Sequence, residues 1–214
     1  MVGKNDSHGQ PCFDLELASA QRHGQGIAGI DEAGRGPWAG PVVAAAVMLD
    51  PGDIPNGLDD SKKLGEATRE RLFAKIRTKA HWAVAIAEVG RIDRDNILQA
   101  TLWAMGAALR ALPSCPAAAL VDGNRLPELP CPAEAVIKGD GRSLSIAAAS
   151  IVAKVTRDRL MCQLAAIYPG YGWERNRGYG TAEHARAIAQ LGVTPYHRRS
   201  FAPVRDAIEL ADAR

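Results

Sequence analysis

Several features that would place this sequence in a special class of protein are absent from it. Its four cysteines form no Cys-x-x-Cys pair and have no histidine at zinc-ligand spacing, which argues against a disulfide scaffold and a zinc site. No charge-free apolar stretch reaches the roughly 18 residues that a membrane-spanning helix needs. The N-terminus is polar and carries no apolar secretory segment. We therefore expect free thiols, a reducing compartment, a cytoplasmic location and no membrane partner.

The sequence also has few aromatic residues and a small net charge. Phe, Trp and Tyr make up 5% of the sequence, so Ala, Val, Ile and Leu must fill the core of a 214-residue chain, most simply as one domain. The formal net charge of +2 is too small to indicate a nucleic-acid partner. The charge is uneven, however, because residues 150–205 hold nine Lys and Arg against three Asp and Glu. This segment is either a phosphate-binding surface or an ordinary solvated basic face.

The most informative stretch runs from Gly26 to Pro37. A short apolar run predicts a buried strand, which ends on Asp31 and Glu32 and is followed by a Gly-Arg-Gly turn. Two acids beside a core strand are unfavourable unless a cation pairs with them, and a divalent metal is the usual partner. Neighbours on a strand face opposite ways, so both acids serve one site only if the strand ends between them. The alternative is a β-turn with solvated acids.

The remaining periodicities predict an α/β fold. A second strand over 40–49 should pair antiparallel with the first, because the connection is short. Helices are predicted over 66–79, from a cap at Asp93 to about 112, and over 144–167, and strands over 81–89, 117–121 and 133–138. A loop is predicted over 169–180, a helix from Thr181 to about Leu191, and a last helix from Pro203. Residues 1–25 are predicted to be a mobile extension in which Phe13, Leu15 and Leu17 are the candidates for packing on the body of the protein. This order favours a mixed sheet with helices on its faces.

Two further acids, Asp122 and Asp140, follow short apolar runs. Functional residues of α/β sheets gather where strands end, so we expect these two to converge with Asp31 and Glu32. Four carboxylates would repel one another, and two divalent cations roughly 3.5–4 Å apart would relieve this and form a phosphoryl-transfer site. Oxygen ligands favour Mg²⁺ or Mn²⁺ over zinc. The alternative is that Asp122 and Asp140 are turn residues, because Asp-Gly is a common turn signal.

A series of motifs resembles, in order, those of prokaryotic ribonuclease HII, a type 2 ribonuclease H family. They are Gly29 to Pro37 with Gly40-Pro41-Val42-Val43, Asp60-Ser61-Lys62-Lys63-Leu64, Val121-Asp122-Gly123-Asn124, Lys138-Gly139-Asp140, Ser145 to Lys154, and Gly178-Tyr179-Gly180-Thr181 with His184, followed by His197 to Phe201. The resemblance covers about residues 26–205. Trp38 departs from it, since a smaller aliphatic residue is expected there.

The resemblance implies a ribonuclease H-like fold with a helical C-terminal region. Residues 1–25 would be a variable extension, 26–168 the catalytic domain, and 169–214 a region that completes the substrate-binding surface. It implies hydrolysis of RNA in RNA–DNA hybrids and nicking 5′ to ribonucleotides embedded in duplex DNA by a monomer. Asp31, Glu32, Asp122 and Asp140 match the family's catalytic acids, and we assign all four to the metal site; the first three match its usual metal ligands.

The resemblance also suggests substrate contacts. Gly34, Arg35 and Gly36 match the loop that senses the 2′-hydroxyl, and Tyr179 matches a tyrosine that stacks on the adjoining sugar. Lys62 and Lys63 either hold phosphates or are solvated, and Lys154 is a candidate for the nucleic-acid backbone.

Two other functions compete with this interpretation. One is a catalytically idle nucleic-acid-binding module, against which the four acids argue, and the other is a phosphatase or different nuclease of the same fold. His184 and His197 are expected to hold the C-terminal region together.

Overall fold

A mixed sheet of five strands forms the centre of the computed structural model, which describes residues 9–213. The strands are β1 Ile27–Ala33, β2 Val42–Leu49, β3 Ala80–Ala87, β4 Ala118–Asp122 and β5 Ala133–Val136. Their order across the sheet is β3-β2-β1-β4-β5. As predicted, β1 pairs antiparallel with β2; it pairs parallel with β4 on its other side. The predicted α/β class with a mixed sheet is confirmed.

Seven helices surround or follow this sheet in the described residues. They are α1 Asp14–His23, α2 Glu66–Lys79, α3 Val89–Arg110, α4 Leu144–Ile167, α5 Trp173–Asn176, α6 Ala182–Leu191 and α7 Ala202–Asp212. A single 3-10 turn, Gly139–Gly141, precedes α4. The helices α6 and α7 form the predicted helical C-terminal region. The helix α5 lies within 169–180, where a loop is predicted, and with four residues it is too short to show a helical period in the sequence. None of the helices within residues 9–213 is long and apolar enough to cross a membrane, and all four cysteines are free.

The central strands are buried on both faces. Ala44 and Ala46 of β2 pack towards α3, whereas Ala45 and Val47 pack towards α2 and α4, as the two-residue period of a strand requires. Small residues let α4 approach closely. A Cβ on Gly29 would lie 2.1 Å from the carbonyl carbon of Ser145, so only glycine fits there. The first turn of α4 therefore lies directly on β1, close to Asp31.

The prediction of a mobile N-terminal extension is wrong for residues 14–23, which form α1; residues 1–8 lie outside the described part. Glu16 is buried, and its Oε1 accepts hydrogen bonds from Ser143 Oγ at 2.6 Å and Ser145 N at 2.7 Å. The buried residues of α1 are Glu16 and Ser19. Leu15 and Ala20 of α1, and Phe13 just before it, pack against the core. The expected packing is thus present for Phe13 and Leu15, whereas Leu17 is exposed.

The predicted helix cap at Asp93 is also wrong. Asn96 interrupts α3 with φ 65° and ψ 166°, and its Oδ1 accepts hydrogen bonds from the backbone N–H groups of Leu98 at 3.0 Å and Gln99 at 3.1 Å. Asn96 is thus the N-cap of the longer segment. Asp93 instead accepts hydrogen bonds from the backbone N–H groups of Arg199 and Ser200, and so ties α3 to the C-terminal region.

Candidate active site

The sheet register brings the four predicted acids to one place. The parallel pairing of β1 with β4 ends where Ile30 lies opposite Val121, so Asp31 and Asp122 follow on neighbouring strands. The backbone N–H of Gly139 donates to Asp122 Oδ1 at 2.7 Å and draws the 3-10 turn that carries Asp140 against β4. Convergence at the ends of parallel strands, inferred from sequence, is what the structure contains.

The strand β1 does not end between Asp31 and Glu32, contrary to expectation. It runs on to Ala33 and stays paired with β2, with Glu32 opposite Ala44. Its pairing with β4 stops at Ile30, however, so its last residues extend beyond that neighbour. The charge of Asp122 therefore acts on both carboxylates although they follow one another on a strand.

The cluster is short of positive charge. Burial raises the pKa of Asp31 well above its usual range, and the charges of Glu32 and Asp122 raise it further. Burial also raises the pKa of Glu32, although Arg35, whose Nη1 lies 3.5 Å from Glu32 Oε1, opposes this. Burial and the charge of Asp122 raise the pKa of Asp140. The raised pKa values show that the negative charges of these carboxylates are not fully compensated by neighbouring side chains. A bound cation would provide that compensation.

The donor set fits a hard divalent cation, because carboxylate oxygens are the ligands that Mg²⁺ and Mn²⁺ prefer. Asp31, Glu32, Asp122 and Asp140 are the residues that could hold it. Among residues 9–213, no three His, Cys, Asp or Glu side chains are already arranged to hold an ion. The four acids are thus neighbours whose negative charges repel one another.

Next to the acids, a buried arginine holds the Gly34-Arg35-Gly36 loop. Arg198 is fully buried, and its guanidinium donates to the carbonyl oxygens of Gly34 at 2.6 Å, Arg35 at 2.8 Å and Gly40 at 2.9 Å. Burial lowers the pKa of Arg198 to about 9, and the neighbouring charge of Arg157 contributes. In the sequence Arg198 stands out only as part of the His197–Phe201 motif, and nothing there indicates this contact.

A second buried arginine, Arg157 of α4, binds the backbone that follows the Gly34-Arg35-Gly36 loop and leads into β2. It donates to the carbonyl oxygens of Pro41 at 2.9 Å and Ala39 at 3.1 Å, and burial lowers its pKa to about 10. A Cβ on Gly34, where φ is +100°, would lie 2.0 Å from Arg157 Nε. In the sequence, the spacing places Arg157 on one helix face with Ser150 and Lys154, but it does not indicate that its partners are backbone carbonyls.

Tyr179 lies against the same loop. Its side chain is 48% exposed, and a Cβ on Gly36 would lie 3.5 Å from Tyr179 Cε1. The carbonyl oxygen of Tyr179 lies 2.9 Å from His184 Nδ1. His184 and His197 are buried within the C-terminal region, as expected. Trp38, the departure from the family pattern, packs on Gly180 and lies 5.7 Å from the His184 ring.

The three predicted phosphate-binding lysines differ in position. Lys62 Nζ lies 3.9 Å from Asp140 Oδ2. Burial alone would lower the pKa of Lys62, but the charges of Asp140 and Asp31 outweigh it and raise the pKa. Lys63 Nζ pairs with Asp59 at 3.1 Å. Lys154 pairs with Asp158 on α4 at 2.7 Å, and not with one of the four acids.

Asp60 is a fifth acid near the site and is not among the acids predicted from the sequence. Its carboxylate raises the pKa of Asp140, after burial and Asp122, and its Oδ1 accepts a hydrogen bond from the backbone N–H of Lys62 at 2.9 Å. The backbone N–H of Ser61 donates to Ser150 Oγ at 3.3 Å and so attaches the segment that contains Asp60 and Lys62 to α4. The motif around Lys62 already contained Asp60, which was the available signal.

Comparisons with known proteins agree with this geometry. The family model described as Ribonuclease HII matches residues 28–204. A ribonuclease HII of Ruegeria pomeroyi is 59% identical over 203 residues, which cover 94% of this chain and 87% of that protein. One of Rhodospirillum rubrum is 58% identical over 204 residues, 92% of each. The crystal structure of the ribonuclease H2 from Pyrococcus horikoshii superposes with a TM-score of 0.75 at 28% identity and covers 89% of this chain and all of that one.

The family match begins in β1, ahead of the acids, and ends in α7, so it spans both the carboxylate cluster and the C-terminal region. The fold is therefore ribonuclease H-like. Membership of an enzyme family argues against the alternative of a nucleic-acid-binding module without catalysis. The chain belongs to the ribonuclease HII family, whose members are divalent-metal-dependent endonucleases that act on RNA–DNA substrates.

Proposed function

We propose that the protein hydrolyses RNA in RNA–DNA hybrids and also nicks duplex DNA on the 5′ side of a single embedded ribonucleotide. The observation that carries this proposal is the position of the Gly34-Arg35-Gly36 loop, between the acid cluster and Tyr179. A centre of four carboxylates lies beside exposed backbone groups and an exposed aromatic ring. The 2′-hydroxyl distinguishes RNA from DNA and both donates and accepts hydrogen bonds, which suits backbone recognition.

We assign Asp31, Glu32, Asp122 and Asp140 to the binding of two Mg²⁺ or Mn²⁺ ions. When bound, such ions lower the pKa of the attacking water and stabilise the leaving oxygen. The protein's own contribution is to hold the carboxylates ready: the Gly139 N–H fixes Asp122 through its Oδ1, and Lys62 partly balances Asp140. Attack by water predicts 5′-phosphate and 3′-hydroxyl ends.

The substrate contacts follow from the same arrangement. We assign the backbone of Gly34, Arg35 and Gly36 to the 2′-hydroxyl and the Tyr179 ring to the adjoining sugar. Lys62 and Lys63 are assigned to phosphates beside the cleavage point, and Lys154 to the nucleic-acid backbone. Residues 169–214 then complete the binding surface of the catalytic domain, residues 26–168. The monomeric state and the cytoplasmic location stay predictions.

The deciding experiment uses three duplexes of one sequence: all DNA, DNA with one ribonucleotide, and an RNA–DNA hybrid. With Mg²⁺ or Mn²⁺ we expect one nick on the 5′ side of the single ribonucleotide, several cuts in the hybrid, and none in the all-DNA duplex; with EDTA, none in any. Mass spectrometry of the nicked strand identifies the ends. A hybrid that is cut while the single ribonucleotide is ignored removes the nicking activity, and a 2′,3′-cyclic phosphate contradicts attack by water.

A further inference from the structure

Two carbonyl groups of the Gly34-Arg35-Gly36 loop, those of Gly34 and Arg35, accept hydrogen bonds from one guanidinium group. Nη2 of Arg198 donates to the carbonyl of Gly34 at 2.6 Å, and Nη1 donates to that of Arg35 at 2.8 Å. Nε and Nη2 both donate to the carbonyl of Gly40, at 2.9 and 2.8 Å. The side chain is fully buried. One planar donor group thus fixes the orientation of two successive peptide units at the start of the loop.

This arrangement determines where the loop's N–H groups point. In a planar trans peptide, the C=O of one residue and the N–H of the next lie on opposite sides of the bond. The carbonyls of Gly34 and Arg35 face Arg198, so the N–H groups of Arg35 and Gly36 face away from it. Both residues are exposed. Within residues 9–213, neither N–H donates a hydrogen bond to another group.

We propose that Arg198 is a positioning residue that turns the N–H groups of Arg35 and Gly36 outwards, as a fixed pair of donors for the 2′-hydroxyl oxygen of the ribonucleotide. The inference rests on the proposed function and goes beyond it, because it assigns recognition of ribose to a buried side chain that touches no substrate. A loop that is already fixed before the substrate binds loses little conformational entropy on binding. Its hydrogen bonds to the 2′-hydroxyl therefore contribute more of their energy to the affinity.

The role requires the planar fork of arginine and not just a positive charge. A lysine at this position keeps the charge but has one compact ammonium group, which cannot hold the Gly34, Arg35 and Gly40 carbonyls in the same directions. Arg198→Lys therefore separates orientation of the loop from electrostatic attraction. Arg71, exposed on α2 and distant in sequence from the loop, offers the matched substitution Arg71→Lys as a control.

The test measures binding rather than cleavage. Fluorescence anisotropy in EDTA gives the Kd for two duplexes that differ in one ribonucleotide, and the ratio of the two values measures discrimination. Arg198→Lys should lower this ratio about fivefold or more and leave the Kd for the all-DNA duplex within about twofold, whereas Arg71→Lys should keep the wild-type ratio. A folded Arg198→Lys protein that discriminates as well as the wild type overturns the inference.

A second measurement does not depend on any variant folding. In the ¹⁵N-labelled wild-type protein, the amide resonances of Arg35 and Gly36 should shift on addition of the ribonucleotide duplex and shift far less with the all-DNA duplex. Equal shifts with both duplexes, or none, overturn the inference. The cleavage assay on the same duplexes tests the proposed function separately, so a protein that nicks correctly while these amides stay silent loses only the role of Arg198.

Discussion

Nε2 of His184 lies 3.1 Å from Nε2 of His197, and the surrounding hydrogen bonds determine which nitrogen of each ring carries the proton. The backbone N–H of Thr194 donates to His197 Nδ1 at 2.9 Å, so the His197 proton is on Nε2. Trp173 Nε1 donates to His184 Nε2 at 3.1 Å, so the His184 proton is on Nδ1, which faces the Tyr179 carbonyl. Two neutral imidazoles thus connect Thr194 to the backbone of Tyr179.

This pair predicts a loss of stability in acid. Burial, with the neighbouring His184, lowers the pKa of His197 to about 4, whereas an unfolded chain has the ordinary value of about 6.5. Well above pH 6.5, His197 is neutral in both the folded and the unfolded protein. Between pH 6.5 and 4 only the unfolded state gains the proton, so the free energy of unfolding falls by about 2–3 kcal/mol. Urea denaturation from pH 7.5 to 4.5 should show this fall, and His197→Gln should lack that part of it.

The control for this prediction is His81→Gln, because His81 is exposed on β3. That variant should keep the wild-type dependence on pH. Comparing wild type with each variant cancels the opposite contributions of the carboxylates. If His197→Gln loses stability in acid just as steeply as wild type, then the neutral His184–His197 pair does not control this range.

A second prediction concerns the anchoring of α1. Glu16→Ala removes the acceptor shared by Ser143 Oγ and Ser145 N at the start of α4, so it should lower the free energy of unfolding by about 1–3 kcal/mol. Oε2 of Glu16 has no hydrogen-bond partner among the described residues. Glu16→Gln, which keeps Oε1, should therefore lose much less. Gln21→Ala, on the exposed face of α1, is the control, and an equal loss in Glu16→Ala and Gln21→Ala would show that Glu16 anchors nothing.

A third prediction separates backbone strain from collision at Gly34. Gly34 and Gly57 both have positive φ, +100° and +92°, but of these two only Gly34 has neighbours that a Cβ would meet, the Arg157 side chain and the Pro41 carbonyl oxygen. Gly57→Ala should cost about 1–2 kcal/mol from φ alone. Gly34→Ala should cost more, because Arg157 must move, and it should also slow cleavage at a single ribonucleotide. Denaturation curves and rates for both variants provide the test; matching losses would mean that Arg157 and the Pro41 carbonyl accommodate the methyl group without strain.

The sequence predicted the acids but not the side chains that hold their surroundings. Asp31 and Asp122 follow buried strands, and the ends of parallel strands must meet, so their proximity is a consequence of local pattern. Arg157 and Arg198 bind backbone carbonyls that are far away in sequence, and such contacts leave no periodic signal. Glu16 was missed for a related reason, since a buried acid that caps another helix resembles a solvated one in the sequence. Tertiary hydrogen bonding to the backbone is the part that local patterns do not encode.

A fourth prediction tests the acid cluster itself. Asp31→Asn and Asp122→Asn should each remove nearly all cleavage and leave the fold intact, because an amide has the same shape but cannot supply an anionic ligand. Asp212→Asn, on the exposed end of α7, should cut at the wild-type rate. Far-UV circular dichroism checks folding. Activity within about tenfold of wild type, equivalent to roughly 1.4 kcal/mol in the barrier, would remove that aspartate from the mechanism.

The last prediction concerns Tyr179, whose exposed ring lies against Gly36 while its backbone carbonyl faces His184. A flat ring on a deoxyribose is a mainly apolar contact, worth about 1–3 kcal/mol by analogy with stacking on bases. A ribose there would place a 2′-hydroxyl against the ring. Tyr179→Phe keeps the ring and should retain much of the activity on a single embedded ribonucleotide, whereas Tyr179→Ala should lose about tenfold or more on that substrate.

The loss for Tyr179→Ala should be smaller on a continuous RNA–DNA hybrid, because the sugar that follows the cleaved ribonucleotide is then another ribose and the preferred contact is already missing. Rates for both variants on both substrates decide this, and melting curves exclude unfolding as the cause. Equal losses on the two substrates would mean that Tyr179 does not distinguish the junction. A Phe variant as poor as the Ala variant would instead assign the effect to the hydroxyl group, because the ring alone would then be insufficient.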